Sequence, residues 1–455
     1  MAAAGGAGDD GRGVGVVDIV TYNLLSDSLC SPKSWAFKTR DPADLDPDTR
    51  YARIEGKLEP HTTRRAIIAL QEVSRKWAGK LHVFFAARRY LFIVSHYGGY
   101  FNGYMGVGVA VPMDAFELLE AETVRVSDEK RWPRPPQPSL LARAWDASIA
   151  IPVGIFKGAV AGVKAATPDV VSSAVCRVAG ACRRTQAGAP WGQDTSADPW
   201  NRAKGKWNTM VFVRVRDRAS GERLALGTYH MPCAFREPAL MVIHAALVAQ
   251  AVQKRARGDA YVLCGDFNIK PHDQGFNPCY DMLTTGKLDR SHPAYPVPPG
   301  PWETWTPELR EGMQSAYAAA KGAEPLFTNY VEPEKAEDEF CDTLDYIFCS
   351  RKGLRVVDVL ALPSEKSETG PLPSATEPSD HILIGATISL GGDDADERDT
   401  DAVLSTEESG SEDGGEGEAS DDEEEEEGGS GVDKAAEGGT VRRRRAASPA
   451  PPAKA

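Results

Sequence analysis

Between Val14 and Leu390 the chain repeats one pattern, in which a short apolar segment of strand length is followed by a turn or a helical segment. The apolar segments are rich in β-branched and aromatic residues and predict β-strands. They are Val16–Tyr22, Arg65–Leu70, Val107–Val111, Met210–Val215, Leu224–Tyr229, Tyr261–Cys264, Thr343–Phe348 and Ile382–Ile388. Pro238–Arg257 predicts a helix, because it begins with proline and ends with basic residues. Strands that alternate with helical segments predict an α/β domain.

The charge of the chain is concentrated after Leu390. Residues 391–455 contain 21 Asp and Glu against 7 Lys and Arg, a balance of −14 that equals the net charge of the whole chain. Residues 1–390 are therefore neutral, with 45 charges of each sign. The acidic segment has too few apolar residues to bury, which predicts a disordered tail. A net negative charge argues against a nucleic-acid substrate, because the phosphates would be repelled. This objection does not apply to residues 1–390, which are neutral.

Three further segments depart from the strand pattern. Residues 1–14 are rich in Gly and Ala and predict a disordered N-terminus, so the domain is expected over residues 15–390. Residues 131–207 begin with a proline-rich run and predict a partly helical insertion, which either packs on the domain or acts as a lid or substrate-contacting element. Arg442–Arg445 is either a nuclear-import or phosphate-binding patch or a solvated run of charge.

The cysteine spacing and the hydropathy indicate the cellular compartment in which the protein is expected. None of the eight cysteines forms a CxxC pair, so a zinc knuckle is not expected. No apolar stretch reaches the roughly 20 residues that a membrane span needs, and no secretory signal is visible. We expect an intracellular protein with reduced thiols, in the cytoplasm, the nucleus or both.

Several predicted strands run into acidic, amide or histidine residues. Asp266 and Asn268 follow one strand, Glu72 follows another, and Asp380 with His381 precedes the last. Strand ends are where ligands bind in open α/β sheets, and carboxylates beside buried strands are costly unless they are paired or bind a cation. If these ends converge, the oxygen-rich cluster suits Mg²⁺ or Mn²⁺. Acid, amide, imidazole and a hard cation together suit the attack of water on a phosphoester.

The order of six motifs resembles the endonuclease/exonuclease/phosphatase superfamily, which includes pancreatic-type deoxyribonuclease and the abasic-site endonucleases. The motifs are Tyr22-Asn23, Leu70-Gln71-Glu72-Val73, His230-Met231-Pro232, Gly265-Asp266-Phe267-Asn268, Leu344-Asp345-Tyr346 and Ser379-Asp380-His381. Further stretches, such as Phe327-Thr328-Asn329-Tyr330, are similar to the branch of nocturnin and the carbon-catabolite-repressor deadenylases. The resemblance implies a four-layer sandwich of two mixed β-sheets flanked by helices, carrying the inserted segment and the disordered acidic tail.

The resemblance also implies roles for individual residues. Glu72 is the principal metal carboxylate, and Asn23 and Asp380 complete or support the Mg²⁺ site, which Mn²⁺ could also fill. Asp266 orients and deprotonates the attacking water, and Asn268 holds a phosphate oxygen.

Other residues are implied to stabilise the charge of the phosphoryl group or to contact the substrate. His230 and His381 stabilise the phosphoryl charge, and Asp345 fixes the tautomer of one histidine. Phe327 and Tyr330 are candidates for stacking on a base.

The function that follows is a Mg²⁺-dependent phosphodiesterase acting on RNA, as a 3′ exonuclease or deadenylase. Within the same chemistry the alternatives are a DNA endonuclease, a phosphatase acting on a dinucleotide and a lipid phosphodiesterase. An alternative of another class is a catalytically silent interaction module. The acidic tail is expected either to bind basic partners or to compete with anionic substrate for the site.

Overall fold

The computed structural model describes residues 14–30, 37, 41–133, 198–271, 273, 275–332 and 339–391. The predicted disordered N-terminus before Val14, the central part of the predicted insertion (134–197) and the predicted tail after Gly391 lie outside these residues.

The first sheet is mixed and has six strands in the order β13-β14-β1-β2-β4-β3. Its central pair, β1 and β2, is parallel, and the other neighbours are antiparallel. The strands are β1 (Val16–Asn23), β2 (Ile67–Val73), β3 (Tyr90–His96), β4 (Gly106–Pro112), β13 (Leu354–Val359) and β14 (Ile384–Leu390).

The second sheet repeats this plan in the order β5-β6-β7-β8-β12-β9, with β7 and β8 as its parallel pair. A separate hairpin is formed by β10 and β11. The strands are β5 (Phe116–Arg125), β6 (Thr209–Asp217), β7 (Arg223–His230), β8 (Ala260–Asp266), β9 (Gln314–Ser315), β10 (Asn329–Val331), β11 (Phe340–Asp342) and β12 (Asp345–Cys349).

Helices cover the outer faces of the sheets. The α-helices are α1 (Pro47–Thr63), α2 (Arg75–Ala86), α3 (Pro199–Gly205), α4 (Pro238–Ala256), α5 (Cys279–Thr285) and α6 (Ala316–Lys321). Short 3₁₀ turns span Pro42–Leu45, Tyr100–Asn102, Val126–Glu129 and Lys366–Glu368. In the part of the chain that the structure describes, no helix combines the length and the apolar composition needed to cross a bilayer.

The alternation of each strand explains the layers. In β1, Val17 and Ile19 pack between the two sheets, whereas Val20 and Tyr22 pack against α1 and α2. The outer face of the second sheet packs in the same way on α4, whose sides are both buried. The result is helices, sheet, sheet and helices, which confirms the predicted four-layer sandwich of two mixed sheets.

The predicted strands are all present, with small shifts at their ends. The strand β2 begins at Ile67 because Arg65 has a left-handed backbone (φ +53°) that closes the turn after α1. The strand β14 begins at Ile384 because Ile382 instead bonds to Thr328 and packs in a small cluster beside Phe327.

Candidate active site

Strand register brings three of the predicted catalytic residues side by side. His230 ends β7 and lies beside Asp266, which ends the parallel strand β8. Asp345 begins β12 and lies beside Asp266 on the other side. Asn23 ends β1 in the opposite sheet, and its Nδ2 donates to Oδ2 of Asp266 at 2.9 Å. One edge of the sandwich therefore collects side chains from both sheets.

Glu72 reaches this edge through a break in the alternation of β2. Ile68 and Leu70 pack against the helices, so a regular strand would turn Glu72 to the same outer face. A β-bulge between Gln71 and Val73, with φ +54° at Glu72, redirects the side chain into the site. Its Oε1 accepts from Asn23 Nδ2 (3.2 Å) and its Oε2 accepts from the backbone N–H of Ser26 (3.0 Å).

A polar layer beneath the site joins the two sheets. Gln71 Nε2 donates to Thr21 Oγ1 in its own sheet (2.8 Å) and to Thr228 Oγ1 in the other (2.9 Å). Gly265 allows the close approach of β7 and β8, because a Cβ at that position would lie 2.0 Å from the carbonyl oxygen of Tyr229. This contact explains why glycine precedes Asp266.

Asp266 lies at the centre of the site. Its Oδ1 accepts from the backbone N–H of Asn268 (2.8 Å) and its Oδ2 accepts from Asn23. Nε2 of His230 and Nε2 of His381 lie 3.4 Å and 3.7 Å from Oδ2. Burial raises the pKa of Asp266 even though both imidazoles oppose the shift.

Each histidine is oriented by a second buried group. Nδ1 of His381 lies 2.7 Å from Oδ2 of Asp345, and the same oxygen accepts from Thr328 Oγ1 (2.7 Å). Nδ1 of His230 lies 2.7 Å from the hydroxyl of Tyr97. When a neutral His230 accepts this hydroxyl proton, Nε2 carries the ring proton and points it at the site.

The charge state of His381 follows from its carboxylate neighbours. Burial alone lowers the pKa of His381, but Asp345, Asp266 and Asp380 together raise it well above its ordinary value. The raised pKa favours the imidazolium form of the ring.

The carboxylates of the site are crowded in a way that suits a cation. Burial, Glu72 and Asp266 raise the pKa of Asp380 to about 6, against the opposing effects of His381 and Arg50. Oδ1 of Asp345 is buried and makes no hydrogen bond. Oxygen ligands with excess negative charge fit a hard divalent cation.

The predicted metal ligands lie close together, but the side-chain oxygen of Asn23 is already hydrogen-bonded. Its Oδ1 accepts from the backbone N–H of Leu25 (2.9 Å), and its Nδ2 donates to Glu72 and Asp266. In this arrangement Asn23 positions the carboxylates of Glu72 and Asp266, and the metal-ligand roles of Glu72 and Asp380 stay predictions. Among the described residues, ligand atoms of Asp266, Asp345 and His381 also lie within 4.8 Å of one another.

The predicted substrate contacts differ in their exposure. Asn268 is half-buried, and its Nδ2 donates to the carbonyl of Met231 (2.9 Å), which leaves its second N–H free. Phe327 is fully buried and Tyr330 nearly so, both against Leu372 and Ile382. Their rings have no open face for a base, so the stacking role expected for them does not fit their positions.

Arg50 was missed by the sequence analysis, although it supports the site. It is fully buried on α1, where Nη2 donates to the carbonyls of Leu24 (2.6 Å) and Leu25 (2.5 Å) and Nε donates to that of Pro378 (2.5 Å). These carbonyls adjoin the segments that carry Asn23 and Asp380. The signal that could have revealed it is its spacing from Ile54 and Leu58, which puts an arginine on the apolar face of a helix.

Comparison with curated proteins finds several related sequences. Nocturnin of Drosophila melanogaster is 26% identical over 204 residues, which cover 40% of this chain and 27% of that protein. Nocturnin of Xenopus laevis is 32% identical over 136 residues, which cover 30% of this chain and 28% of that protein. The CCR4-Not complex 3′-5′-exoribonuclease subunit Ccr4 of Mycosarcoma maydis is 24% identical over 240 residues, with 46% and 33% covered. The chain thus spans about a quarter to a third of the length of these relatives.

Solved structures share the architecture. ANGEL2, described as a 2′,3′-cyclic phosphatase and solved with adenosine-2′,3′-vanadate, has a TM-score of 0.56 and 15% identity, and the match covers 83% of this chain and 96% of that chain. At this identity the likeness concerns the fold.

The family follows from a match over most of the chain. The sequence profile described as the Endonuclease/Exonuclease/phosphatase family matches residues 20–381, a range that includes every site residue from Asn23 to His381. The chain therefore belongs to the Endonuclease/Exonuclease/phosphatase family and is similar in sequence to nocturnin and to a Ccr4 exoribonuclease subunit.

Proposed function

We propose that this protein is a divalent-cation-dependent phosphodiesterase that shortens RNA from its 3′ end, in the manner of a deadenylase. The observation that carries the proposal is the position of the Asp266 carboxylate, which has an oriented imidazole on each side at 3.4 Å and 3.7 Å. A base flanked by two imidazole N–H donors suits in-line attack of water on a phosphodiester.

Asp266 is the proposed general base. Its Oδ1 is held by the N–H of Asn268 and its Oδ2 by Asn23, so the carboxylate cannot rotate away from the attacking water. Burial raises its pKa, which brings the basicity of the carboxylate closer to that required for proton abstraction near neutral pH. The proton of the water passes to Asp266 as the new P–O bond forms, the P–O bond to the leaving nucleoside oxygen breaks, and that oxygen takes up a proton from solvent.

The two histidines and Asn268 are proposed to bind the phosphoryl oxygens. Negative charge builds on the non-bridging oxygens in the transition state, and preorganised donors stabilise it there. His381 presents Nε2–H because Asp345 holds Nδ1. His230 presents Nε2–H because Tyr97 holds Nδ1. The free amide N–H of Asn268 supplies another donor.

The cation is proposed to be Mg²⁺, with Mn²⁺ as a substitute. Glu72 and Asp380 would hold it, with Asn23 keeping Glu72 in position. When bound, it supplies positive charge to a phosphate oxygen and relieves the repulsion among the buried carboxylates.

Two observations favour RNA as the substrate. The relatives that match in sequence carry the names Nocturnin and 3′-5′-exoribonuclease subunit Ccr4. Residues 1–390 are neutral, so the body of the enzyme does not repel a polyanion. The complete set of Glu72, His230, Asp266, Asp380 and His381 argues against a catalytically silent module, which would be expected to have lost at least one of them.

A substrate panel tests the proposal. The protein is incubated with Mg²⁺ and end-labelled poly(A), mixed-sequence RNA, single-stranded DNA or plasmid, and an Asp266→Asn variant serves as the control for contaminating nucleases. We expect a ladder from the 3′ end of RNA that EDTA abolishes. Cleavage of DNA alone, or of no nucleic acid, would contradict the proposal and favour a DNA, dinucleotide or lipid substrate.

A further inference from the structure

The loop between β3 and β4 presents three aromatic side chains to solvent. Tyr100 is 86% exposed, Phe101 74% and Tyr104 42%. Exposed aromatic rings are costly in water, and a cluster of them on one loop indicates a binding surface. Their position relative to the site identifies what this surface binds.

The loop is tied directly to the catalytic residues. Tyr97, at its start, contacts Nδ1 of His230. Ser26 contacts both the site and the loop, because its N–H donates to Glu72 Oε2 and its hydroxyl donates to the carbonyl of Asn102 (2.9 Å). The loop that carries the aromatic surface therefore adjoins the candidate active site.

The loop is also held in one conformation. Tyr97 and Gly98 donate to the carbonyl of Met105, and Tyr104 donates to the carbonyl of Gly99. Tyr104 adopts a left-handed backbone (φ +54°), which only a well-fixed turn maintains in a non-glycine residue. A preordered platform loses little entropy on binding.

The remaining exposed aromatic rings lie on segments that connect regular elements of the second sheet and its helices. Trp207 precedes β6, Phe235 lies between β7 and α4, and Phe276 lies between β8 and α5. Asn208, next to Trp207, donates to the carbonyl of His230. Within the described ranges, the aromatic side chains that are more than a third exposed thus lie on connecting segments, and Asn208 links one of these segments to His230.

We propose that Tyr100, Phe101 and Tyr104 form a stacking platform for the bases of single-stranded nucleic acid next to the cleaved phosphodiester. The inference rests on the proposed function and adds the substrate contact that Phe327 and Tyr330 do not provide. Stacking on aromatic rings accepts any base, because every base has a π-face. The guanidinium of Arg75 lies 6.0 Å from the ring centre of Tyr104 and adds positive charge for the adjoining phosphate.

Binding measurements test the platform separately from catalysis. Tyr100→Ala with Phe101→Ala is introduced into the Asp266→Asn protein, and fluorescence anisotropy measures the affinity for a short single-stranded RNA and for a strand of the same length without bases. We expect the Kd for the RNA to rise about tenfold or more, since two stacking contacts are lost. The Kd for the strand without bases is expected to stay the same.

Two control proteins accompany this variant. Tyr100→Phe with Tyr104→Phe keeps the rings and is expected to retain the affinity. Val83→Ala, on the exposed side of α2, removes apolar surface that is not on the platform and is also expected to retain it.

The two proposals fail in different ways. An unchanged Kd for the RNA, or an equal loss for the strand without bases, would overturn the platform. Failure of the unmutated protein to cleave the same RNA in Mg²⁺ would overturn the proposed function, whatever the binding results.

Discussion

His381 Nδ1 and Asp345 Oδ2 are 2.7 Å apart, although the two residues belong to different segments that meet only at the edge of the sandwich. The contact turns Nε2 of His381 towards Asp266, and the Asp345 carboxylate raises the pKa of the ring. Thr328 holds the same carboxylate oxygen from a third segment. The orientation of the imidazole is therefore determined by Asp345 and, through it, by Thr328.

Replacing Asp345 tests this relationship through the pH profile. The pKa of His381 is raised, so its protonated form persists to higher pH, and Asp345→Asn lowers that pKa by removing an anion. We expect kcat to fall about a hundredfold and the alkaline limb of the rate profile to move to lower pH. Asp342→Asn, which removes a carboxylate paired with Lys270 at 3.0 Å, is the matched control. An unmoved alkaline limb in Asp345→Asn would count against the role of this pair.

Arg50 is expected to matter for stability and activity together. Arg50→Met leaves the carbonyls of Leu24, Leu25 and Pro378 without their donors, and unpaired buried polar groups cost roughly 1–3 kcal/mol each. Denaturant unfolding should show a loss of about 3 kcal/mol or more, with reduced kcat in the folded fraction. Arg53→Met, on the same helix but in a partly exposed pair with Asp44, should cost less than about 1 kcal/mol. Equal losses in the two variants would contradict the account.

His244 should make the fold sensitive to acid. It is buried between the Tyr229 hydroxyl and the carbonyl of Ala203, each 2.9 Å from a ring nitrogen, and burial lowers its pKa from 6.5 to about 4. The unfolded chain binds a proton on His244 more tightly than the folded chain does. The stability that the neutral, buried His244 contributes is therefore present above the unfolded pKa and is lost as the pH falls towards 4. Linkage predicts a loss of about 2 kcal/mol between about pH 7 and pH 5. Urea unfolding at both pH values should show a smaller loss in His244→Gln, and an equal loss would refute the assignment.

The acidic tail is expected to weaken substrate binding at low salt. Residues 391–455 carry the whole net charge of −14, and like charges repel the phosphates of RNA. A chain that ends at Leu390 should bind RNA more tightly than the full chain at low ionic strength. The difference should fade as salt screens the charges. Equal affinities at low salt would discard this role.

Most of the site could be predicted because it follows from strand alternation and motif order. Four of the predicted residues lie at strand ends, namely Asn23, His230, Asp266 and Asp345. The alternation of apolar residues in the sequence shows on which face of each strand their side chains lie. The inward turn of Glu72 could not be predicted in the same way, since it depends on a bulge and a left-handed backbone.

Other supporting roles depend on tertiary contacts that the sequence does not display. Tyr97 contacts His230 across 133 positions of sequence, and Arg50 contacts Pro378 across 328. Phe327 and Tyr330 illustrate the opposite error, because an aromatic residue beside a motif can equally be part of a core.

The most direct test of the central claim is the rate of Mg²⁺-dependent RNA hydrolysis by Asp266→Asn, measured against the unmutated protein. The substitution keeps the shape of the side chain and removes the proposed base, so the fold should remain intact by circular dichroism. We expect the rate to fall at least about a hundredfold, and Glu72→Ala to show a loss of similar size. Full activity in a correctly folded Asp266→Asn protein would contradict the account.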